Sequence, residues 1–176
     1  MTAPRKPQLV STTRPLHPDH AQVRSHASSH YRTPVVPGQW DDIARRACMN
    51  GQCPAFAVAL HEVIGGQVVA VITRHPLGEY VLLDWEHVLV RTPGGTLWDA
   101  EGPRSDAEVI KAFPLREGER GTVALVDAEP MQVLGRAPIP AHLPNERFLP
   151  QNVTVARTFI PAYLQLHDLE PAPSTG

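Results

Sequence analysis

Three residues of this chain could together activate a sulfur nucleophile. They are Cys53 in Asn50-Gly51-Gln52-Cys53-Pro54, His87 in Trp85-Glu86-His87-Val88-Leu89-Val90, and Asp99 in Leu97-Trp98-Asp99-Ala100-Glu101-Gly102. A thiol attacks a carbonyl carbon as its thiolate, an imidazole can take and return the proton, and a carboxylate can hold that imidazole in one orientation. His87 follows Cys53 by 34 residues and Asp99 follows His87 by 12, so only the folded chain can bring the three together.

The elements that must do so can be read locally. Pro54 suits the first turn of a helix, and the run from Ala55 to Ile64 is apolar nearly all round before Gly65-Gly66 stops it, which predicts a buried helix with Cys53 at its start. There the unpaired N–H groups and the positive end of the helix dipole favour a thiolate. The same N–H groups, with the side chains of Gln52 or Asn50, are candidate donors to the oxyanion of a tetrahedral intermediate. His87 lies in a predicted strand over 86–91 and Asp99 in one over 95–99, joined by a turn at Pro93-Gly94. A three-residue loop, Thr92-Pro93-Gly94, sets Arg91 opposite Gly95 and His87 opposite Asp99 on one face, whereas a loop of even count sends the two side chains to opposite faces. Asp84, Glu86 and Glu101 are alternatives for the orienting carboxylate. His61 shares the helix of Cys53 but lies about 12 Å further along its axis, too far to serve as the base.

Around this pair of elements the pattern alternates between helix and strand. Trp40, Ile43, Ala44 and Ala47 fall at helical spacing with acids in the first turn, and Asn50-Gly51 ends the run. Residues 67–73, 79–83 and 122–126 read as further strands, and Ser105-Asp106-Ala107-Glu108 opens a helix through Phe113 with a capping box. Beyond Pro130 the prolines at 138, 140, 144 and 150 leave no clear periodicity, and no element is assigned. The sum is an α+β domain: N-terminal helices, one carrying the cysteine at its start, packed on an antiparallel sheet that carries His87 and Asp99.

Composition bounds the rest. A chain of 176 residues, 42% of them hydrophobic, supports one core. Residues 1–36 mix five prolines with Ser, Thr and His and have almost no apolar periodicity, so that stretch is expected to be a disordered arm, residues 38–168 the domain, and 169–176 a flexible tail. The 16 Lys and Arg nearly balance the 18 Asp and Glu, without long blocks of either sign, which argues against nucleic acid as a partner. No apolar run is long enough for a membrane span or follows the basic N-terminus as a signal peptide would, so a cytoplasmic protein is expected, unless a specialised secretion route exports it. Cys48 and Cys53 lie five apart, outside the Cys-x-x-Cys spacing, and read as free thiols; a small redox or metal-binding protein that uses both is the least favoured class. His17, His20, His26 and His30 have gaps that metal sites also use, but the arm around them reads as solvated tail, and no metal or cofactor is expected. Pro93-Gly94-Gly95 has no Lys-Ser/Thr after it and reads as a turn, not a phosphate loop.

The order Cys, His, Asp, with Gly-x-Cys opening a buried Ala-rich helix and a later His-Val-x-Val-x-x-x-x-Gly-x-x-x-Asp hairpin, resembles the papain-like and transglutaminase-like cysteine enzymes. Within that group it is most similar to bacterial papain-fold toxin and effector domains, several of which deamidate protein glutamines. The resemblance covers about residues 40–103. It implies Cys53 as nucleophile, His87 as general base and acid, Asp99 as the residue that orients His87, and a protein or peptide substrate attacked at an amide or carboxamide. Two features depart from the pattern. Gln52 is directly adjacent to the cysteine, where plant papain-type enzymes place the oxyanion glutamine several residues earlier, and Pro54 stands where a bulky aromatic is common. The function so implied is a cofactor-free amidohydrolase, a glutamine deamidase or peptidase, working through a thioester. Deamidation, peptide hydrolysis and transamidation share these steps. The contrasting expectation is a catalytically idle domain of the same fold that binds a protein partner.

Overall fold

The computed structural model describes residues 21–24, 32–77, 79–115, 117, 120–136 and 153–172. Two helices come first within the domain. α1, Asp42–Met49, is capped by Asp41, whose side chain accepts from the N–H groups of Ile43 and Ala44, and it buries Ala44, Ala47 and Cys48. Ile43 belongs to the same sequence pattern yet is 44% exposed, because the buried stripe runs through the small residues and lets α1 lie close. The N–H of Gln52 donates to the carbonyl of Ala47 across the turn to α2, Cys53–Ile64. From Cys53 to Leu60 every residue of α2 is buried, as its all-round apolar sequence demands.

The strands follow. β1, Ala21–Arg24, and β2, Arg32–Val35, pair as a separate two-stranded ribbon. The expected arm over 1–36 therefore contains a ribbon in its second half, and Val35 is buried against the core. The main sheet is antiparallel, in the order β6-β5-β4-β3-β7, from β3 (Gln67–Leu77), β4 (Tyr80–Arg91), β5 (Leu97–Asp99), β6 (Gly102–Arg104) and β7 (Thr122–Asp127). The two strands read separately over 79–83 and 86–91 are one strand, β4. A register shift opposite Val71 and Ile72 lets it continue, with Glu86 as the extra residue immediately before His87.

The sheet is covered on both faces. Val68, Ala70, Ile72, Val88, Val90 and Trp98 join the helices in the main core. Val69, Val71, Leu89 and Leu97 form a smaller cluster with Val109 of α3, Asp106–Ala112, and with Phe113. α3 starts on the expected capping box of Ser105 and Glu108. Beyond Pro130 two helices appear that the sequence reading did not assign: α4, Pro130–Val133, and α5, Val153–Leu166. α5 packs along α2 and contributes Phe159, Ile160 and Tyr163 to the main core, with Pro161 inside the helix. An aromatic cluster ties the layers together, with Trp40 stacked on Phe56 at 5.3 Å and Tyr163 edge-on to Phe56 at 5.1 Å. Of the residues expected as a free tail, Ala172 donates its N–H to the carbonyl of Val63 at the end of α2. The architecture is α+β, helices on an antiparallel sheet. Among the described residues no helix is long and apolar enough to cross a membrane.

Candidate active site

The hairpin between β4 and β5 decides whether His87 and Asp99 can meet. Its closing pair is Thr92 and Thr96, with the N–H of Thr92 donating to the carbonyl of Thr96 at 2.9 Å, so the loop is Pro93-Gly94-Gly95. Its length is three, but it starts one residue later than expected from the sequence. Arg91 consequently pairs with Leu97, not Gly95, and Val90 with Trp98. The cause is local: Pro93 sets the first corner of the turn, the N–H of Gly95 donates to the carbonyl of Thr92, and Gly95 takes the positive φ of 88° that closes a three-residue loop. The count is odd, so His87 and Asp99 share a face. They sit diagonally and not directly opposite, and the imidazole Nε2 lies 3.2 Å from Asp99 Oδ2.

Both side chains are 1% exposed. His87 pairs with Val71 across β3 and stacks on the ring of Phe113 at 5.1 Å, so it belongs to the sheet face that α3 covers. Asp99 is held at three further points. Its Oδ1 accepts from the N–H of Glu101 at 2.8 Å, Arg104 Nε lies 3.5 Å from its Oδ2, and its main-chain carbonyl accepts from the hydroxyl of Tyr163 at 2.6 Å. The other carboxylates considered for the orienting role are engaged elsewhere: Asp84 with His75, Glu86 with the hydroxyl of Thr73, Glu101 with Arg45 and Arg104.

Cys53 is the first residue of α2 and is 8% exposed. It lies near enough for its negative charge to act on His87. Burial pulls the imidazole pKa down, but the Cys53 charge and the hydrogen bond to Asp99 outweigh it and lift the pKa to about 9. With Nε2 given to Asp99, the other ring nitrogen, Nδ1, is buried and makes no hydrogen bond.

The two side chains proposed as oxyanion donors differ. Asn50 caps the end of α1 and spends its amide on the carbonyl of Arg46 at 2.8 Å, while the residue itself is exposed. Gln52 is 4% exposed, makes no side-chain cap to α2, and leaves Oε1 buried without a partner. Pro54 has no N–H, so the backbone donor nearest the sulfur is that of Cys53 itself. His61, eight residues along α2, lines a separate cavity of about 370 Å³ with Glu62, Leu134 and Arg157. Both cysteines are free thiols. The arm histidines His17, His20, His26 and His30 lie outside the described residues, and among the described residues no group of three His, Cys, Asp or Glu could hold a metal ion.

Arg104 and Tyr163 escaped the sequence reading. Gly102-Pro103 was the available sign of a second tight turn that returns Arg104 towards Asp99. Tyr163 sits in the stretch where the prolines hid the helical pattern. No protein-family model, no curated protein and no solved structure matches this chain.

Proposed function

We propose that this chain is a cysteine-dependent acyl-transfer enzyme of papain-like type, most directly an amidohydrolase acting on a protein or peptide amide or carboxamide. The observation that carries the reading is a fully buried imidazole that gives one nitrogen to a buried carboxylate and leaves its other nitrogen without a partner. Burying two titratable side chains and leaving one ring nitrogen unpaired costs stability, and such groups cluster at functional sites.

In this reading the Cys53 thiolate adds to the carbonyl carbon, and the carbonyl oxygen takes the negative charge near the start of α2. His87, protonated, gives its Nδ1 proton to the departing nitrogen as the C–N bond breaks, leaving a thioester on Cys53. Water then attacks the thioester, His87 takes its proton, and the sulfur leaves as thiolate while the imidazolium is restored. Asp99 fixes the ring through Nε2 and stabilises its positive charge. Ammonia as leaving group gives deamidation, and an amine gives peptide hydrolysis.

The test is the rate of alkylation by iodoacetamide at pH 6, followed on the intact chain by mass. Cys53 should label in the wild type and label far more slowly in His87→Ala. Equal rates in the two would overturn the enzyme reading and favour the binding module. Incubation with candidate proteins then looks for a gain of about one mass unit at a glutamine, or a cleaved product, absent with Cys53→Ala.

A further inference from the structure

Asp99 is shared. The register of β5 with β6 pairs Leu97 with Arg104 and Asp99 with Gly102, which puts the side chain of Arg104 on the face that carries Leu97, Asp99 and His87. Arg104 Nε approaches the same oxygen of Asp99, Oδ2, that His87 Nε2 approaches. The guanidinium is in turn held by the Glu101 carboxylate, and Glu101 is held by Arg45 of α1 at 3.2 Å. A line of alternating charge thus runs from the surface of α1 through Glu101 and Arg104 to the buried pair. Gly102 makes the return possible: its φ is 109°, and a Cβ there would meet the ring of His167 at 2.8 Å.

We propose that Arg104 is a positioning residue that competes with His87 for Asp99 and so sets how firmly the imidazole keeps its proton. The inference rests on the acyl-transfer reading for its purpose, though not for its physics. A carboxylate that serves two cations stabilises each less than it would stabilise one. Glu101 acts in the opposite sense, because it draws the guanidinium away from Asp99. The charged and titratable groups that act on His87 are Cys53 at the start of α2 and Asp99 on β5; Arg104 on β6 and Glu101 in the turn reach it through Asp99, and Phe113, just past α3, contributes an uncharged ring. A base that holds its proton too tightly cannot protonate a leaving amine, so tuning the Asp99 contact bears directly on rate.

The experiment is a pH titration of His87 by NMR of the full chain, with selectively labelled imidazole nitrogens, in the wild type and three variants. Arg104→Gln should raise the His87 midpoint by roughly one pH unit, Arg104→Lys should stay near the wild type, and Glu101→Gln should lower the midpoint by about half a unit. The opposite signs matter, since loosening a merely structural contact moves both variants the same way. Arg104 lines an open surface hollow with Ser105 and Glu108, so its replacement leaves the core packed; if Arg104→Gln nonetheless fails to fold, Glu101→Gln carries the test alone. Unchanged midpoints, or shifts of one sign, overturn the proposal. The titration needs no substrate, so its outcome is separate from alkylation of Cys53: shifted midpoints with an inert Cys53 would uphold the role of Arg104 and remove the enzyme.

Discussion

Two thiols five residues apart stand in contrasting places. Cys48 lies in the last turn of α1, at the negative end of that helix, and Cys53 opens α2 at the positive end of the next. Both are buried, Cys48 to 3% and Cys53 to 8% exposure, so burial does not separate them. Their partners do. Burial pushes the Cys48 thiol far up, and a charge on Cys53 pushes it further, so Cys48 remains a protonated apolar group packed in the core. Cys53 instead meets an imidazole whose positive charge Asp99 supports. Under the proposed function, what separates the two buried cysteines is the imidazole that the hairpin brings to one of them.

The sharpest way to break the contrast is to remove each sulfur in turn. Cys53→Ala should lower turnover by on the order of 10⁴-fold or more, to the background of an assay on the identified substrate. Asp99→Asn comes next. The amide cannot stabilise the imidazolium and can present the wrong group to Nε2, so turnover should fall on the order of 10³-fold while Cys53 is still present to be counted by mass. Should Asp99→Asn keep full turnover, the carboxylate is structural and the contrast between the thiols needs another source.

The pH profile sharpens the same comparison. The His87 pKa is raised, so the protonated form persists at neutral pH and is lost as pH rises through about 9. Amide turnover should therefore decline above about pH 9, because no proton is left for the leaving nitrogen. A profile that keeps rising beyond pH 10 would show that His87 does not deliver it. A smaller effect is expected at Tyr163. Its hydroxyl supports the carbonyl of Asp99, and burial raises the phenol pKa well above its usual range, so it remains a donor. Tyr163→Phe removes that hydrogen bond and should cost about 1 kcal/mol in denaturant unfolding.

Much of this was legible because it was local. Gly51-Gln52-Cys53-Pro54 announces a helix start and Ser105-x-x-Glu108 another, and both stand where the sequence put them. The place of the β4–β5 turn was readable from Thr92-Pro93-Gly94-Gly95, but neither the parity of its loop nor its register was. Either Gly94 or Gly95 could take the positive φ, and only the closing pair of Thr92 with Thr96 decides between them. β6 is three residues long and holds a proline, too short for any period to appear. α5 was hidden for a different reason: Pro161 lies inside it, and the burial of Phe159, Ile160 and Tyr163 against α2 outweighs what the proline costs. Tertiary packing, which a window of sequence does not contain, decided both.

Cys48 closes the comparison with the smallest expected effect. Its side chain fills space among buried residues of α1 and α2 and belongs to none of the hydrogen bonds that hold the pair of His87 and Asp99. Cys48→Ala should cost about 1 kcal/mol of stability from the small void it leaves, with turnover within about twofold of wild type. In the native wild type at pH 7, iodoacetamide should add one label, on Cys53, and a second only after unfolding. Two labels on the native chain would mean that α1 opens readily enough to expose its last turn, and the distinction between the two sulfurs would then be one of access, not of charge.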